Sequence, residues 1–270
     1  MSESVASLRA SSVFAQILRD AAPIARAGLR RLPQQEVTTK AARDYQTAAD
    51  RAVERAIVRD LTAAFPLYRI EGEEFGAAGS ADPDAPLLVV DPIDGTTNFA
   101  WGIPHFGMVI TLWDGTRVTA GAVLDPVLEE MFTADLGAGA LLNGVPLRVA
   151  RAPDPEAALI GAGLPVPGQV VSVTTAAYAA ALERAMAVTS GVRRLGSAAL
   201  SIAYVAAGRF DGFFEDGLGL GDFGASALIV GEAGGVVTDF HGAPVSRRCG
   251  IVAGSPEMHA WLLQGLASAR

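Results

Sequence analysis

Apolar positions near the start of the chain recur at three- and four-residue intervals, the spacing of an amphipathic helix. This spacing predicts a helix over residues 5–31, closed by Pro33, and a second helix over residues 43–64, ended by Pro66. Further helices are predicted at residues 175–188, 197–207 and 225–233.

Short apolar runs bounded by turn residues predict strands. Asp114-Gly115 is a hairpin signal, and Asn143-Gly144 is another turn signal. Residues 76–86 have the Gly, Ala, Asp and Pro composition of a loop. The predicted strands are residues 68–71, 87–90, 107–113, 118–124, 130–134, 158–161, 212–214 and 236–239.

Both halves of the chain contain predicted strands and helices, and the first half contains hairpins. The predicted fold class is therefore mixed α/β. The best candidate boundary is the segment Ala-Arg-Ala-Pro-Asp-Pro-Glu at residues 150–156. It divides the chain into an N-terminal half, residues 1–150, and a C-terminal half, residues 151–270.

Composition narrows the class of protein. Hydrophobic residues make up 50% of the 270 residues and charged residues 19%, which indicates a globular chain. A net charge of −8 argues against a nucleic-acid or membrane-surface binder, because both need positive surface. A single cysteine, Cys249, excludes an intramolecular disulfide and a thiolate zinc cluster, and three histidines argue against a His-rich metal site. With no signal-peptide or membrane-spanning pattern, the expected location is the cytoplasm.

The chemistry is concentrated where the strand at residues 87–90 ends. Asp91 and Asp94 follow it three residues apart, and Pro92 stiffens the turn between them. Gly95 and Thr96 come next, in a turn that can point N–H groups and hydroxyls at an anion. An isolated Asp-x-x-Asp is usually a solvated turn, but the buried-type strand before it favours a site. Two carboxylates with nearby oxygen donors suit Mg²⁺.

Other acidic residues gain meaning only in combination with this pair. Taken alone, Glu73 and Glu74 are solvated turn charges, and Asp222 is a helix N-cap or first-turn acid. Together with the run from Asp91 to Phe99, these residues resemble the inositol monophosphatase family of Mg²⁺-dependent, lithium-sensitive phosphatases. The resemblance covers residues 10–262 in order, and it includes Lys40, Asp44, Thr47, Asp50, Glu54, Arg193-Arg-Leu-Gly196-Ser197-Ala198-Ala199, Glu215 and the 228–235 segment.

The resemblance implies a fold and a set of roles. The fold is a layered α-β-α-β-α sandwich with the site in the cleft between the two halves. Up to three Mg²⁺ ions, with Mn²⁺ as a possible substitute, are expected on Glu73, Asp91, Asp94, Asp222 and the carbonyl of Ile93. Glu73 and Thr96 would orient the attacking water, Asp50 would hydrogen-bond Thr96, and Lys40, the only lysine, would lie near the phosphate. The residues expected to contact phosphate or the alcohol half are Asp94, Gly95, Thr96, Gly196, Ser197, Ala198 and Glu215.

The sum of the charges expected at the site agrees with metal-dependent binding of a phosphate. Four carboxylates contribute about −4, three Mg²⁺ about +6 and a phosphate dianion about −2, which sums to about zero. An acidic chain can therefore bind a phosphate monoester. The resemblance implies that this ester is myo-inositol 1-phosphate. Histidinol phosphate, fructose 1,6-bisphosphate and adenosine 3′,5′-bisphosphate are the alternatives within the family. The resemblance also implies a homodimer, and the net charge of −8 argues against nucleic-acid or membrane partners.

One position departs from the family pattern. Gly221 stands where the family usually has Trp, directly before the distal metal aspartate. A weaker second metal site is expected, with Phe223 filling part of the space of the absent indole.

Two alternatives come from other functional classes. Residues 219–224 spell Gly-x-Gly-x-x-Gly after a predicted strand, the fingerprint of dinucleotide binding. Two facts weaken that reading: few residues remain for the rest of a doubly wound sheet, and Asp222 would place a negative charge inside the pyrophosphate loop. A regulatory binding protein that keeps the phosphatase fold is the other alternative.

Overall fold

The computed structural model describes residues 9–29, 38–41, 44–150, 154–166 and 168–268. Within these ranges the chain forms seven α-helices, two larger β-sheets and one short hairpin. The helices are α1 (Ala10–Leu29), α2 (Ala48–Ala64), α3 (Thr96–Ala100), α4 (Thr175–Val188), α5 (Ala198–Ala206), α6 (Leu220–Glu232) and α7 (Pro256–Ser268).

The first large sheet has eight strands in the order β10-β9-β8-β7-β6-β5-β3-β4. Only β3 and β5 pair in parallel; the other neighbours are antiparallel. Its strands are β3 (Arg69–Gly72), β4 (Gly76–Gly79), β5 (Leu87–Asp94), β6 (Gly107–Trp113), β7 (Val118–Asp125), β8 (Glu130–Asp135), β9 (Ala140–Leu142) and β10 (Val145–Pro146).

The second sheet has five strands in the order β12-β11-β13-β15-β14, with β11 parallel to both of its neighbours. Its strands are β11 (Leu159–Ala162), β12 (Gly191–Arg193), β13 (Gly212–Gly219), β14 (Val236–Thr238) and β15 (Arg248–Gly254). A separate hairpin joins β1 (Thr38–Ala41) to β2 (Asp44–Gln46).

Five layers follow from the way the apolar faces pair. Strand β5 is buried on both faces, as a strand covered on both sides must be. Leu88 and Val90 pack with α1 and α2 on the outer face, whereas Leu87 and Val89 pack with α5 and α6 on the inner face. Helices α4 and α7 cover the far side of the second sheet. The mixed α/β class and the α-β-α-β-α order are therefore confirmed.

Helix α6 lies unusually close to the first sheet. A Cβ on Gly121 of β7 would come within 2.7 Å of the Ala225 Cα, so only glycine fits there. The hydroxyl of Thr111 on β6 accepts a hydrogen bond from the Ala225 amide at 2.9 Å. These two contacts fix the N-terminal turn of α6, which carries Asp222, against the sheet that carries Asp91 and Asp94.

Several element bounds differ from the prediction. The predicted helix 43–64 begins only at Ala48, because Thr47 caps it and residues 44–46 pair as β2. Residues 76–79 of the predicted loop form β4, an edge strand that pairs with β3 and has mostly exposed side chains. The predicted helix 225–233 begins earlier, at Leu220. For the predicted helix 5–31, residues 5–8 and 30–31 lie outside the described residues.

The predicted division at residues 150–156 remains a prediction, and residues 151–153 are outside the described ranges. The sheets lie on either side of it in sequence, since β10 ends at Pro146 and β11 begins at Leu159. Helix α6 contacts strands of both sheets, so the middle helical layer is shared between them. Among the described helices, none combines the length and apolar character needed to cross a bilayer.

Candidate active site

Strand β5 carries two buried carboxylates at its C-terminal end. Asp91 and Asp94 are only 5% and 8% exposed. Regular alternation along a strand would place residues three apart on opposite faces. The register against β6 is irregular between Asp91 and Asp94, and the Asp91 carboxylate accepts a hydrogen bond from the Ile93 amide at 3.0 Å. This irregularity lets the two carboxylates converge.

A third carboxylate arrives from the other half of the chain. Asp222 lies in the first turn of α6 and accepts a hydrogen bond from the Gly219 amide at 2.7 Å. Carboxylate oxygens of Asp91, Asp94 and Asp222 lie within 4.8 Å of one another. The structure therefore brings together three of the residues that the sequence proposed as metal ligands.

Asp94 also receives the N-terminus of α5. Its carboxylate accepts hydrogen bonds from the Ser197 hydroxyl and from the amides of Ala199, at 2.8 Å, and Ala198, at 3.3 Å. Free N–H groups at a helix start favour a negative charge. Asp94 thus joins the first sheet to the helical layer, and Ser197 and Ala198 lie beside it as the sequence proposed.

Crowding raises the pKa of each of these acids. Burial, with Glu73, Asp94 and Asp222 nearby, raises the pKa of Asp91 well above its usual range. Burial and Asp222 raise the pKa of Asp94 to about 7, against the hydrogen bonds from α5. Burial raises the pKa of Asp222 to about 6, with the Gly219 amide opposing. Without a cation, the site therefore retains protons near neutral pH.

The residues present fit a hard divalent cation. Their donor atoms are all carboxylate or carbonyl oxygens, the ligands that Mg²⁺ and Ca²⁺ prefer. A cation would supply the positive charge that the protons supply in its absence, so binding would release protons. Among the described residues, Asp91, Asp94 and Asp222 form the only group of at least three acidic, His or Cys side chains with this spacing.

Glu73 stands on the turn after β3, at the side of this cluster. Glu73 is one of the neighbouring groups that raise the pKa of Asp91, so it lies close to that carboxylate. The turn is fixed by Glu54 of α2, which is fully buried and accepts hydrogen bonds from the amides of Glu74 at 2.8 Å and Phe75 at 2.9 Å. A Cβ on Gly72 would come within 2.0 Å of the Glu54 carboxylate, so glycine is required there. Glu54 therefore sets the position of Glu73.

We expect Glu54→Gln to weaken Mg²⁺ binding by about 10-fold, the usual effect of disturbing a group that orients a ligand. Glutamine keeps one acceptor oxygen, but its NH₂ group then faces a backbone N–H, so the turn that carries Glu73 shifts. The measurement is a calorimetric Mg²⁺ titration. Glu183→Gln, on an exposed position of α4, is the control, and equal affinities in the two variants would contradict the expectation.

Asp50 and Thr96 do not meet in the way that the resemblance implies. Asp50 accepts hydrogen bonds from the amide and hydroxyl of Thr47, and its Oδ1 is buried without a partner among the described residues. Thr96 instead donates its hydroxyl to the Ile93 carbonyl at 3.1 Å. The Asp50 side chain turns toward Thr47 because the two residues form the capping box of α2. Lys40 lies in β1, but the expected position of its side chain is outside what the structure describes.

Two glycines let the backbone of one half approach that of the other. Gly95 has φ +99°, and a Cβ there would come within 2.9 Å of the Gly196 carbonyl oxygen. Gly196 has φ +87° and lies against the Asn98 amide. Asn98 donates hydrogen bonds to the carbonyls of Leu195, at 2.7 Å, and His105, at 2.8 Å. The segments proposed to contact phosphate are thus held together by a side chain that the sequence prediction missed.

Two cavities meet at the carboxylate cluster. The first, of about 270 Å³, runs from Asp94, Gly95 and Thr96 past Gly196 and Ala198 to Glu215. Burial raises the pKa of Glu215 to about 7, with Asp94 adding to the effect and Arg194 opposing it. Gln169, Arg194 and Asp216 are among the residues that line this cavity without having been assigned a role from the sequence.

The second cavity, of about 520 Å³, lies on the other side of Asp222 and is lined by Glu73, Asp91 and Gly221. Phe223 is fully buried in the core between the sheets and lines neither cavity. Phe223 therefore faces the core from its position on α6, and the expectation that it fills part of the space of the absent indole stays a prediction. The weaker second metal site stays a prediction.

The dinucleotide alternative is disfavoured by the same turn. Residues 219–224 do join a strand to a helix, as that fingerprint requires. However, the Asp222 carboxylate already accepts the Gly219 amide and occupies the helix start, where a pyrophosphate would bind. In addition, β13 lies antiparallel to β15 instead of in an all-parallel sheet.

The chain is similar to known proteins over most of its length. The sequence model of the inositol monophosphatase family matches residues 5–269. "Nus factor SuhB" of Pseudomonas aeruginosa is 44% identical over 87% of each chain, and "Inositol-1-monophosphatase" of Mesorhizobium japonicum is 40% identical over 86% of each. The crystal structure of extragenic suppressor protein suhB from Bartonella henselae superposes with a TM-score of 0.87, at 37% identity over 94% of this chain and 97% of that one. Thermotoga maritima IMPase gives a TM-score of 0.83, at 31% identity over 94% and 95%. The chain therefore belongs to the inositol monophosphatase family.

Proposed function

We propose that the chain is a Mg²⁺-dependent phosphatase that hydrolyses a small phosphate monoester, with myo-inositol 1-phosphate as its substrate. The observation that carries the proposal is the meeting of Asp91, Asp94 and Asp222 where two cavities join. Membership of the family and the name of the Mesorhizobium japonicum relative support the class of reaction. The motif ending Thr97-Asn98-Phe99 supports the inositol branch.

The proposed metal ligands are Glu73, Asp91, Asp94, Asp222 and the Ile93 carbonyl, for up to three Mg²⁺ ions, with Mn²⁺ as a substitute. When bound, the ions supply positive charge for the phosphate and for the departing alcohol oxygen. Phosphoryl transfer depends mainly on positioning and on stabilising charge, so no covalent role for the protein is required.

The chain's own residues position the reactants. Glu73 and Thr96 are proposed to orient the attacking water, and the Thr96 hydroxyl can accept a hydrogen bond from this water while it donates to the Ile93 carbonyl. The amides of Gly95 and Thr96 are proposed to face the phosphate, with Lys40 nearby. The residues proposed for the alcohol half are Asp94, Gly196, Ser197, Ala198 and Glu215. Asp50 keeps a supporting role at the start of α2.

Further parts of the proposal follow from the family resemblance. We propose a homodimer in the cytoplasm, sensitive to lithium. Analytical ultracentrifugation tests the dimer, and inhibition by Li⁺ at fixed Mg²⁺ tests the lithium sensitivity. Histidinol phosphate, fructose 1,6-bisphosphate and adenosine 3′,5′-bisphosphate remain alternative substrates for the same chemistry.

The test is phosphate release from these four esters with Mg²⁺, with EDTA, and in Asp222→Asn. Asp114→Asn is the matched control, because Asp114 lies in the hairpin between β6 and β7 and lines neither cavity. Metal-dependent turnover that favours inositol 1-phosphate and is lost only in Asp222→Asn supports the proposal. If the protein prefers another of these esters, the proposed substrate is wrong but the proposed metal-dependent hydrolysis stands.

No turnover of any ester would favour the binding-protein alternative. The observation that keeps this alternative is the name "Nus factor" carried by relatives that are 40–44% identical. The proposed ligand residues Glu73, Asp91, Asp94 and Asp222 are all present, so the two roles do not exclude each other.

A further inference from the structure

The first cavity is closed on one side by the connection between β11 and α4. We call residues 163–166 and 168–173 of this connection the wall segment. Gln169 of the wall segment lines the cavity together with Glu215 and Gly217 of β13. The segment starts along β13, because the Gly163 amide donates to the Phe214 carbonyl at 3.0 Å. The wall segment therefore lies beside β13, the strand that carries Glu215.

A single buried carboxylate holds the wall segment. Asp216 is 6% exposed, and its Oδ2 accepts hydrogen bonds from the amides of Val171 and Ser172, both at 2.8 Å. Its Oδ1 accepts from the Ser172 hydroxyl at 2.6 Å and from the Gly217 amide at 2.7 Å. The Ser172 hydroxyl in turn accepts from the Gly250 amide at 3.0 Å. Three of the four hydrogen bonds to Asp216 thus come from the wall segment.

Two glycines bring the wall segment against β13 with no space between them. Gly217 has φ +76°, and a Cβ there would come within 2.3 Å of the Gln169 carbonyl oxygen. A Cβ on Gly163 would come within 2.4 Å of the Glu215 Cγ. The register of β13 against β15 is irregular between Glu215 and Leu218, which is where Asp216 and Gly217 lie. The position of Gln169 relative to Glu215 is therefore set by backbone contact as well as by Asp216.

We infer that Gln169 contacts the alcohol half of the substrate and that Asp216 is the positioning residue for this contact. The inference rests on the proposed function. A primary amide both donates and accepts hydrogen bonds, as a hydroxyl does, and Glu215, which lines the same cavity, is an acceptor when ionised. The pair suits an alcohol half that carries hydroxyls beyond the ester oxygen. The phosphate end, at Asp94 and Asp222, is separate from this contact.

The test compares two substrates at saturating Mg²⁺: myo-inositol 1-phosphate and ethyl phosphate, whose alcohol half has no free hydroxyl. We expect Gln169→Ala and Asp216→Ala each to raise KM for the inositol ester by about 5- to 10-fold, the value of one hydrogen bond. KM for ethyl phosphate and inhibition by inorganic phosphate stay within about twofold. Because both residues act through one contact, the double variant raises KM for the inositol ester by less than the product of the two single fold-changes.

A second readout does not depend on activity. Asp216→Ala increases hydrogen exchange at the amides of Val171 and Ser172, and Asp216→Asn, which keeps one acceptor oxygen, gives a smaller increase. Asp114→Ala is the matched control, because Asp114 also accepts from two amides and a hydroxyl, those of Thr116 and Arg117, but lies away from the cavity. Asp114→Ala leaves exchange in the wall segment and KM for the inositol ester unchanged.

Equal changes in KM for the two esters, additive single effects, or unchanged exchange in Asp216→Ala would each overturn the inference while leaving the phosphatase proposal intact. If the unmodified protein hydrolyses neither ester, the proposed function fails, and the role of Gln169 fails with it.

Discussion

Replacing Asp91 by asparagine is expected to abolish turnover and at the same time to stabilise the metal-free protein. Turnover falls by about 1,000-fold or more, at the upper end for removal of one preorganised charged group. Stability rises because Asp91 is 5% exposed and lies among the like charges of Glu73, Asp94 and Asp222. Asparagine keeps the shape and the acceptor for the Ile93 amide, and it removes the repulsion.

Thermal melts in EDTA at about pH 8, together with Mg²⁺-dependent phosphate release, measure the two effects. Asp94→Asn distinguishes the loss of turnover from the gain in stability. Asp94 accepts three hydrogen bonds from the start of α5, so its replacement weakens these bonds and stabilises the metal-free protein less than Asp91→Asn does. Asp114→Asn gives the opposite sign, since hydrogen bonds lower the pKa of that exposed carboxylate to about 2. A lower melting temperature for Asp91→Asn in EDTA would contradict the expected gain.

In EDTA, the melting temperature is expected to fall by more than about 10 °C as pH rises from about 5 to about 8. The folded-state pKa values of Asp94 and Glu215, about 7, and of Asp222 and Asp50, about 6, are raised above those of ordinary carboxyl groups. In this window the folded state therefore binds more protons than the unfolded state. The stabilisation that these protonated carboxyl groups contribute is complete below their pKa values in the unfolded chain, near pH 4. It is lost as the pH rises through their pKa values in the folded state.

With saturating Mg²⁺, the melting temperature is expected to rise with pH instead of falling. The ion replaces the protons and binds best when the carboxylates are ionised. The measurement is a series of melts with Mg²⁺ and with EDTA at each pH. The gain from Mg²⁺ is largest at about pH 8. In Asp222→Asn, which lacks one proposed ligand, the gain is small at every pH. A flat profile in EDTA would show that burial of these groups is relieved in solution.

The fold was largely predictable where periodicity and turns agree. The apolar run that ends at Asp91-Pro92 and the hairpin at Asp114-Gly115 correspond to β5 and to the β6–β7 connection. The strand at residues 76–79 could not be predicted, because Gly-Ala-Ala-Gly has low strand propensity and pairs only through its backbone with β3. Likewise, β15 and α7 follow no clear pattern and are ordered by packing against their neighbours.

At the site, the carboxylates were predictable because their residue types carry the chemistry. Their surroundings were not. That Asn98 bridges two carbonyls, that Glu54 holds the Glu73 turn, and that Asp216 holds the wall segment all depend on contacts between elements distant in sequence. The direction of the Asp50 side chain was set by the cap of α2, a local requirement that competed with the implied contact to Thr96.

The hydrogen bonds from α5 to Asp94 join residues 103 to 105 positions apart. During synthesis on the ribosome, the strand carrying Asp91 and Asp94 emerges long before α5 and α6 exist. Forming a contact between residues so far apart in sequence closes a long loop and lowers the entropy of the chain, so such contacts form late in folding. The carboxylate cluster is consequently assembled only when the last third of the chain has docked. Recovery of Mg²⁺ binding after dilution from denaturant thus reports the final stage of refolding, later than the recovery of helix content.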